Sequence, residues 1–286
     1  MIAGEVCAMP ELPEVETMVR GLRSALSGRR VRRLEVLDPF LLQGCTAGEL
    51  SRRGRGATVV AVTRRGKWVV LELGARRGIL VIQPRMTGGF WLVEPQRPEH
   101  IRLAFHLDQP RATVWYCDTR RLGKVCWFAD AHAAAQAFAR AHGPDALEIG
   151  RDQLAERLAR TARGIKPALM DQKVLAGIGN IYADEVLFHA RIHPERPASS
   201  LAPAELDRLH RAIGEILTTA IALEGSSFDA GYRTVLGLEG GFLAQNAVYG
   251  RKDLPCRTCE RPILKTKIAG LVGRPTYYCP QCQSRH

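Results

Sequence analysis

The apolar positions in the first part of the chain follow two different periods. From Pro13 to Leu26 they recur every three or four residues, which predicts an amphipathic helix that Gly28 ends. After this helix the period shortens to two, and in 101–107 every second residue is apolar. Strands are predicted at 57–63, 67–73, 78–84, 101–107 and 112–117. This part of the chain is therefore predicted to form a β-sandwich or barrel with a leading helix.

The pattern becomes helical after Asp130. Helices are predicted at 131–143, 150–162, 166–172, 179–191 and 203–223, with Gly and Pro residues between them. The chain shows no internal repeat and no low-complexity tract. We predict an α+β multidomain protein: an N-terminal extension at 1–9, a β-sandwich domain at 10–130, a helical domain at 131–245 and a small cysteine-rich domain at 246–286.

The eight cysteines fall into two groups. The scattered ones are Cys7, Cys45, Cys117 and Cys126, and the paired ones are Cys256 with Cys259 and Cys279 with Cys282. The 19 residues at 260–278 separate the pairs by the spacing of a four-cysteine zinc ribbon, in which the thiolates hold one structural Zn²⁺. The alternative is two redox pairs or inert thiols. This distribution favours a reduced, cytoplasmic chain over a disulfide framework.

Basic residues outnumber acidic ones, with 41 Lys and Arg against 29 Asp and Glu and a formal net charge of +12. Such an excess favours a nucleic-acid partner, and a solvated basic surface is the alternative. The segment 264–278 is a predicted hairpin whose Lys265, Lys267 and Arg274 suit contact with phosphates. No apolar run reaches the length of a membrane span, and residues 1–8 lack the pattern of a secretory signal.

Three stretches together resemble one family, the formamidopyrimidine-DNA glycosylases, which has endonuclease VIII as a sister branch. They are PELPEVET at 10–17, IKPALMDQKVLAGIGNIYADEVLFHARIHP at 165–194, and the region from VYGRKDLPCRTC to YYCPQCQ at 248–283. The resemblance implies a β-sandwich, a helix–two-turn–helix DNA-binding domain and a zinc finger. It also implies a monomeric base-excision-repair enzyme, nucleoid-associated if bacterial, that acts on double-stranded DNA containing oxidised bases or abasic sites.

The same resemblance implies the chemistry. PELPEVET is similar to the branch that removes oxidised purines (8-oxoguanine and formamidopyrimidines) as a combined glycosylase and AP lyase. The amine of Pro10 would attack C1′ of the sugar to give a Schiff base, Glu11 would move protons at the sugar, and β and δ elimination would follow. Lys67 would contact phosphate at the lesion, and Arg274 would hold the flanking phosphates.

The resemblance also implies a set of DNA-binding residues. Met86, Arg120 and Leu122 match the residues that fill the space left by an extruded base, and we call them the wedge residues. The positions matched to phosphate contacts, or to orientation of the binding loop, are His100, Lys166, Asn180 and Glu185. The alternative for Met86 is a core residue, and the alternative for Glu185 is a helix-face salt bridge.

Several positions depart from the family pattern. Gln83-Pro84 replaces the usual His-Leu before Met86, Leu122 stands where a Phe is usual, and the finger hairpin is a few residues longer. The segment 224–242 resembles the lesion-reading loop only in outline. A glycosylase for oxidised pyrimidines, of the endonuclease VIII type, is therefore the second interpretation.

The pair Met9-Pro10 resembles an N-terminus, although eight residues precede it. A proline nitrogen within a peptide bond shares its lone pair with the carbonyl group, so it cannot attack a sugar. If residues 1–8 are retained, the third interpretation is a non-catalytic damaged-DNA binder, in which Pro13 and Glu14 only start a helix. We expect Met9 to be the physiological start, or the extension to be removed in another way.

Overall fold

The computed structural model describes residues 9–109, 112–227 and 232–285, and the predicted extension at 1–8 lies outside them. The chain forms two compact units. Unit 1 contains the residues up to Arg140 together with Leu223–Gly241, and unit 2 contains Ala141–Ala222 together with the residues from Phe242 onward. The domain boundaries that the sequence predicts near 130 and 245 differ from the limits of these two units, and they stay a prediction.

Unit 1 begins with helix α1, Leu12–Leu26, close to the predicted 13–26. Glu11 is its N-cap, and Glu11 and Glu14 form a reciprocal capping box in which the Glu14 carboxylate accepts the Glu11 N–H at 2.9 Å. Pro13 suits the first turn, where its missing N–H would have no helical partner. Gly28, with a φ of 75°, turns the chain away after the helix ends.

Two sheets follow α1. Their strands are β1 Val31–Val36, β2 Leu42–Gln43, β3 Val59–Arg65, β4 Trp68–Leu73, β5 Gly78–Gln83, β6 Gly88–Trp91, β7 Ile101–Leu107, β8 Thr113–Asp118 and β9 Lys124–Phe128, and helix α2, Ala47–Gly54, lies between β2 and β3. One sheet has the order β1-β7-β8-β6 and the other β2-β9-β5-β4-β3. Buried apolar side chains from both sheets and from α1 form a shared core. The predicted sandwich is confirmed.

The five predicted strands correspond to β3, β4, β5, β7 and β8, whereas β1, β2, β6 and β9 were not predicted. Strand β6 has the sequence GGFW, and its glycines obscure any alternation. The packing requires the first of them, because a Cβ at Gly88 would lie 2.3 Å from the Pro84 carbonyl oxygen. Strand β1 reads VRRLEV, and its charged residues interrupt the period of two.

The segment 223–241 returns to unit 1 after the helices of unit 2. The Leu92 N–H donates to the Val235 carbonyl at 2.9 Å, beyond the end of β6. Val235 also packs on α1, where a Cβ at Gly21 would lie 2.3 Å from a Val235 methyl group. A glycine at position 21 therefore lets this segment approach the helix closely.

The remaining elements are mainly helical. They are α3 Ala131–Ala141, α4 Arg151–Ala159, α5 Ile165–Met170, α6 Asn180–His189, α7 Pro203–Ala222, β10 Leu264–Thr266 and β11 Thr276–Tyr278. Each predicted helix corresponds to one of α3 to α7, with ends shifted by a few residues. β10 and β11 pair antiparallel, which confirms the predicted hairpin. In the part of the chain that the structure describes, no helix is both long and apolar enough to cross a membrane.

Candidate functional site

The first turn of α1 is enclosed by protein. Pro10 is buried, and Glu11 is only 2% exposed at the N-cap. Further along the helix, Glu16 pairs with Arg64 of β3 at 3.1 Å, and Arg64 donates to the Gly66 carbonyl at 3.0 Å. Gly66 belongs to the β3–β4 turn that carries Lys67. These contacts connect the helix start with Pro10 and Glu11 to the turn with Lys67.

Lys67 is only 5% exposed, so it is not the solvated side chain that an isolated lysine at a strand start usually is. Gly66 before it has a φ of 56°, a conformation that glycine adopts without strain. The turn thus holds the buried Lys67 side chain near the region where α1 packs on β3 and β4.

Glu14 has a second function besides the capping box. Its Oε1 accepts the Ser226 N–H at 2.8 Å, and its side chain is buried. Gly225 has a φ of 84°, and a Cβ there would lie 2.7 Å from the same Glu14 oxygen. The carboxylate therefore fixes Gly225 and Ser226 against the start of α1. These two residues lie in the segment 224–242 that resembles the lesion-reading loop, and residues 228–231 of that segment lie outside the described residues. From the sequence, Glu14 was interpreted only as a helix-start residue.

The wedge residues and His100 lie at one end of the four-stranded sheet. In its register Gly88 of β6 pairs with Asp118 of β8, so Met86 and Arg120 stand beyond the same ends of adjacent strands. Their side chains meet, with an Arg120 Nη1–H donating to the Met86 sulfur at 3.7 Å. Met86 is half-buried, which does not agree with a core position. Leu122 is 37% exposed.

His100 immediately precedes β7, which is the strand that pairs with β8. Its Nδ1 lies 3.4 Å from the Thr119 hydroxyl oxygen, within hydrogen-bond distance. Thr119 is the neighbour of Arg120. The structure therefore brings His100 and the wedge residues together at this end of the sheet.

Lys166, in unit 2, is completely buried. Its ammonium group pairs with Asp184 at 2.8 Å and donates to the Pro275 carbonyl and the Thr276 hydroxyl, both at 3.0 Å. The predicted contact of Lys166 with a phosphate stays a prediction. The observed contacts connect α5 and α6 to the second strand of the hairpin, directly after Arg274.

Asn180 and Asp184 bind the same strand. The Asn180 amide donates to the Pro275 carbonyl at 3.1 Å, and the Asp184 carboxylate accepts the Tyr277 N–H at 2.9 Å. Burial raises the pKa of Asp184 to about 7, although the Lys166 ammonium lowers it. Asp184 was not among the residues selected from the sequence.

Glu185 binds backbone rather than a cation. Its carboxylate accepts the N–H groups of Ala247, Val248 and Tyr249 at 2.7, 3.0 and 2.7 Å. Burial raises the pKa of Glu185, and the three N–H donors lower it. This geometry fits a carboxylate that fixes a loop and does not fit the alternative helix-face salt bridge.

The four paired cysteines converge. The sulfur atoms of Cys256, Cys259, Cys279 and Cys282 all lie within 4.8 Å of one another. Cys256 and Cys282 are 3.9 Å apart, and Cys259 and Cys279 are 3.4 Å apart. Four thiolates around one tetrahedral Zn²⁺, with Zn–S bonds of about 2.3 Å, have sulfur separations of about 3.8 Å. The cluster is therefore positioned to bind a metal ion.

The cluster is also anchored to the helices. The Gln283 side chain accepts the Cys279 N–H at 2.9 Å and donates to the Ile192 carbonyl at 3.0 Å. No disulfide joins the cysteines within the described ranges, and Cys7 lies outside them. Burial raises the pKa of the scattered Cys117 to about 12, which makes it an inert thiol.

Comparison with known proteins agrees with this architecture. The family model for the formamidopyrimidine-DNA glycosylase N-terminal domain matches residues 9–125, and the model for the helix–two-turn–helix domain of the same glycosylases matches 141–230. A formamidopyrimidine-DNA glycosylase from Symbiobacterium thermophilum is 40% identical over 279 residues, which cover 96% of this chain and 89% of the relative.

Solved structures agree as well. The MutM (Fpg) protein from Thermus thermophilus has a TM-score of 0.84 at 38% identity, covering 97% of this chain and 100% of that one. A Lactococcus lactis Fpg mutant, solved with DNA containing Fapy-dG, has a TM-score of 0.86 at 32% identity, covering 96% and 100%. The wild-type protein has also been solved with DNA containing an oxidised pyrimidine, with a TM-score of 0.85, 32% identity and the same coverage.

The two-sheet unit, the helix–two-turn–helix match and the four-cysteine cluster define a DNA-repair glycosylase with lyase activity at abasic sites. More specifically, the chain belongs to the formamidopyrimidine-DNA glycosylase family.

Proposed function

We propose that this chain excises oxidised purines, such as 8-oxoguanine and formamidopyrimidines, from duplex DNA and then cleaves the strand, with Pro10 as the nucleophile. The observation that carries the proposal is the buried helix start with Pro10 and Glu11, connected through Glu16 and Arg64 to the turn with Lys67. An amine, a proton-transferring carboxyl group and a cation for phosphate are the groups that this chemistry needs.

The reaction balances with water as the only further reactant. A free Pro10 nitrogen bonds to C1′ while the bond from C1′ to the base breaks, and the base leaves with the proton of the amine. The bond from C1′ to the ring oxygen O4′ then breaks, O4′ takes a proton from Glu11, and the nitrogen lone pair forms the C1′–N double bond of an iminium. The iminium acidifies the C2′ protons, the Glu11 carboxylate accepts one, and the bond from C3′ to its phosphate breaks. A second elimination releases the 5′ phosphate, and water hydrolyses the imine to restore the amine.

The departing base must first leave the helix. We infer that Met86, Arg120 and Leu122 fill the space it leaves, and that His100 and Lys67 contact phosphates nearby. The meeting of the Met86 and Arg120 side chains at one end of the sheet supports this assignment. Leu122 provides an apolar surface but cannot stack as an aromatic ring does.

The substrate assignment is tested by single-turnover excision from matched duplexes that contain 8-oxoguanine, an oxidised pyrimidine or no lesion. We expect the 8-oxoguanine duplex to react fastest. The solved Lactococcus lactis complex with an oxidised pyrimidine supports a second candidate activity on pyrimidines. Faster excision of the pyrimidine than of 8-oxoguanine would establish that second activity and reject the purine preference.

We infer that the four-cysteine cluster holds one Zn²⁺. In such a closed site the metal stabilises the fold of the finger and supplies no reacting group. Metal analysis of the native protein should therefore give one zinc ion per chain. Cys279→Ser should lose the ion and weaken DNA binding, while thermal unfolding of the two-sheet unit changes little. Freshly purified protein without zinc would contradict the assignment.

We infer that Arg274, directly before the residues fixed by Lys166 and Asn180, contacts phosphates. Arg274→Ala should weaken binding to damaged and undamaged duplexes equally, because phosphates carry no base information. The slope of log K against log salt should fall by about 0.9, because the substitution removes one ion pair with a phosphate. Arg211→Ala is the matched control, because it removes the same charge from an exposed position on α7. It should leave the slope unchanged. A change in lesion preference at constant slope would contradict the phosphate role.

Lys166 should behave differently from Arg274. Lys166→Met leaves the Asp184 carboxylate buried without its cation, which is expected to cost about 3–5 kcal/mol of stability. The melting temperature should fall, and Asp184→Leu in the same chain should restore part of it. In the variant that still folds, the salt slope should remain that of the wild type. A reduced slope at unchanged melting temperature would support the original phosphate contact instead.

A further inference from the structure

Each of the two apolar wedge residues follows an arginine in the left-handed backbone conformation. Arg85, with a φ of 58°, precedes Met86, and Arg121, with a φ of 55°, precedes Leu122. Side chains other than glycine, asparagine and aspartate rarely adopt this conformation, and it persists where surrounding contacts fix it. The contacts that fix these two segments come from neighbouring side chains, chief among them Asp118.

Asp118 is completely buried at the end of β8, between the two segments. One carboxylate oxygen accepts the Thr87 hydroxyl at 2.5 Å, and the other accepts the Gly123 N–H at 2.7 Å. The Thr87 hydroxyl oxygen in turn accepts the Arg120 N–H at 3.1 Å. A single carboxylate therefore connects the segment that carries Met86 with the segment that carries Arg120 and Leu122.

The space around this carboxylate is filled. Tyr116 is fully buried, and its hydroxyl oxygen would lie 2.5 Å from a Cβ at Gly88 and 2.1 Å from a Cβ at Gly123. The Asp118 carbonyl oxygen accepts the Arg102 Nε–H at 2.8 Å. Glycines at these two positions therefore let both segments approach the Tyr116 hydroxyl closely, and close packing around Tyr116 favours one separation of the two segments.

The segment 119–123, which carries Arg120 and Leu122, has a second anchor. The Arg121 guanidinium donates to both Asp38 oxygens, at 2.7 and 2.9 Å, and lies over the Phe40 ring at 4.5 Å from its centroid. A bidentate pair of this kind fixes both position and orientation. The Arg121 side chain is therefore directed toward Asp38 and Phe40, while Leu122 remains exposed.

We propose that Asp118 is a positioning residue for base extrusion, which fixes 85–88 and 119–123 at one separation so that Met86, Arg120 and Leu122 enter the duplex together. The proposal rests on the proposed function but concerns the step before the chemistry. Loops that are already ordered lose less conformational entropy when they enter the duplex than loops that order on binding. Asp118 touches neither the substrate nor the reacting atoms.

Thr87 provides the least disruptive test. Thr87→Val keeps the shape and removes the hydroxyl that connects Asp118 to Arg120, whereas Thr87→Ser keeps the hydroxyl. We expect Thr87→Val to slow single-turnover excision of 8-oxoguanine by about 10- to 100-fold, the scale of an ångström-sized misplacement. Cleavage at a preformed abasic site should slow far less, since no stacked base has to leave the helix. Thr87→Ser should retain the wild-type rates on both duplexes.

The route through the wedge residues is tested by a double-mutant cycle with Asp118→Asn. In the wild-type background this change should slow 8-oxoguanine excision as Thr87→Val does. In a Met86→Ala/Leu122→Ala background it should have little further effect, because the residues that it positions are gone. Fluorescence of 2-aminopurine beside the lesion should show slower unstacking in Asp118→Asn, which a purely structural role would not produce in a folded protein.

Arg121→Gly and Arg76→Gly form a matched pair. Both remove one arginine from a left-handed position in unit 1, and Arg76 lies exposed in the turn between β4 and β5. Only Arg121→Gly should slow excision. If Thr87→Val slowed the reactions on the 8-oxoguanine and abasic duplexes equally, the positioning role of Asp118 would be overturned. Additive effects in the double-mutant cycle with Asp118→Asn would overturn it as well. Failure of the otherwise unchanged chain that begins at Pro10 to cleave abasic DNA would instead reject the proposed function.

Discussion

Glu11→Gln should bind damaged DNA almost as tightly as the wild type and lose base excision by about 10²- to 10⁴-fold. The amide keeps the size of the side chain and can still accept a hydrogen bond at the helix start. It cannot take a proton from C2′ or deliver one to the sugar oxygen. Because Glu11 is 2% exposed, bulk water cannot readily replace it. Single-turnover excision on an 8-oxoguanine duplex, with binding measured in parallel, gives both quantities.

The competing role for Glu11 is helix capping, and the chain contains a control for it. Helix α2 also begins with a capping box, formed by Thr46 and Glu49. Glu49→Gln weakens such a box far from the proposed nucleophile, and it should leave excision unchanged. If Glu11→Gln excised 8-oxoguanine at the wild-type rate, Glu11 would be a capping residue only.

The chain that begins at Pro10 should be active, and the chain that begins at Met1 should be inactive in both excision and strand cleavage. In the longer chain the Pro10 nitrogen is an amide without a nucleophilic lone pair. As a terminal amine, with a pKa near 8, it is partly unprotonated at neutral pH. The matched family model begins at residue 9, directly before Pro10.

This comparison can be made within one sample. A protease site inserted directly before Pro10 lets the same purified protein be assayed before and after cutting, with identical zinc content and folding history. Cutting should switch on cleavage of an abasic duplex. A cut placed in the exposed β4–β5 turn is the control for the protease treatment and should not activate the chain. Equal activity before and after cutting at Pro10, with the extension intact, would show that another amine carries the reaction.

The elements that the sequence predicted are those with an undisturbed period. Helix α1 and strands such as β7 keep a regular apolar period in sequence, because Val15, Leu103 and similar apolar residues are buried in the core. The four-cysteine cluster was also predictable, since metal geometry restricts the spacing of possible ligands. Strand β6 was missed because its glycines serve contacts with Pro84 and Tyr116 that only the folded chain reveals.

The buried carboxylates show where sequence reasoning ends. Glu14, Asp118 and Asp184 each bind backbone or side-chain groups from distant parts of the chain, and the local sequence around each carboxylate does not indicate those partners. The same holds for the partners of Lys166, whose predicted phosphate contact stays a prediction. In the structure Lys166 is the buried ion-pair partner of Asp184. It also donates to the carbonyl of Pro275, the residue after Arg274, and so helps to fix that segment.

The most direct test of the central claim is borohydride trapping on a lesion-bearing duplex, followed by mass analysis of the cross-linked peptide. Borohydride reduces an imine to a stable amine, so the adduct records which nitrogen attacked C1′. We predict that the DNA-derived mass lies on Pro10 as the first residue of the chain. An adduct on Lys67, or on any amine other than Pro10, would contradict it.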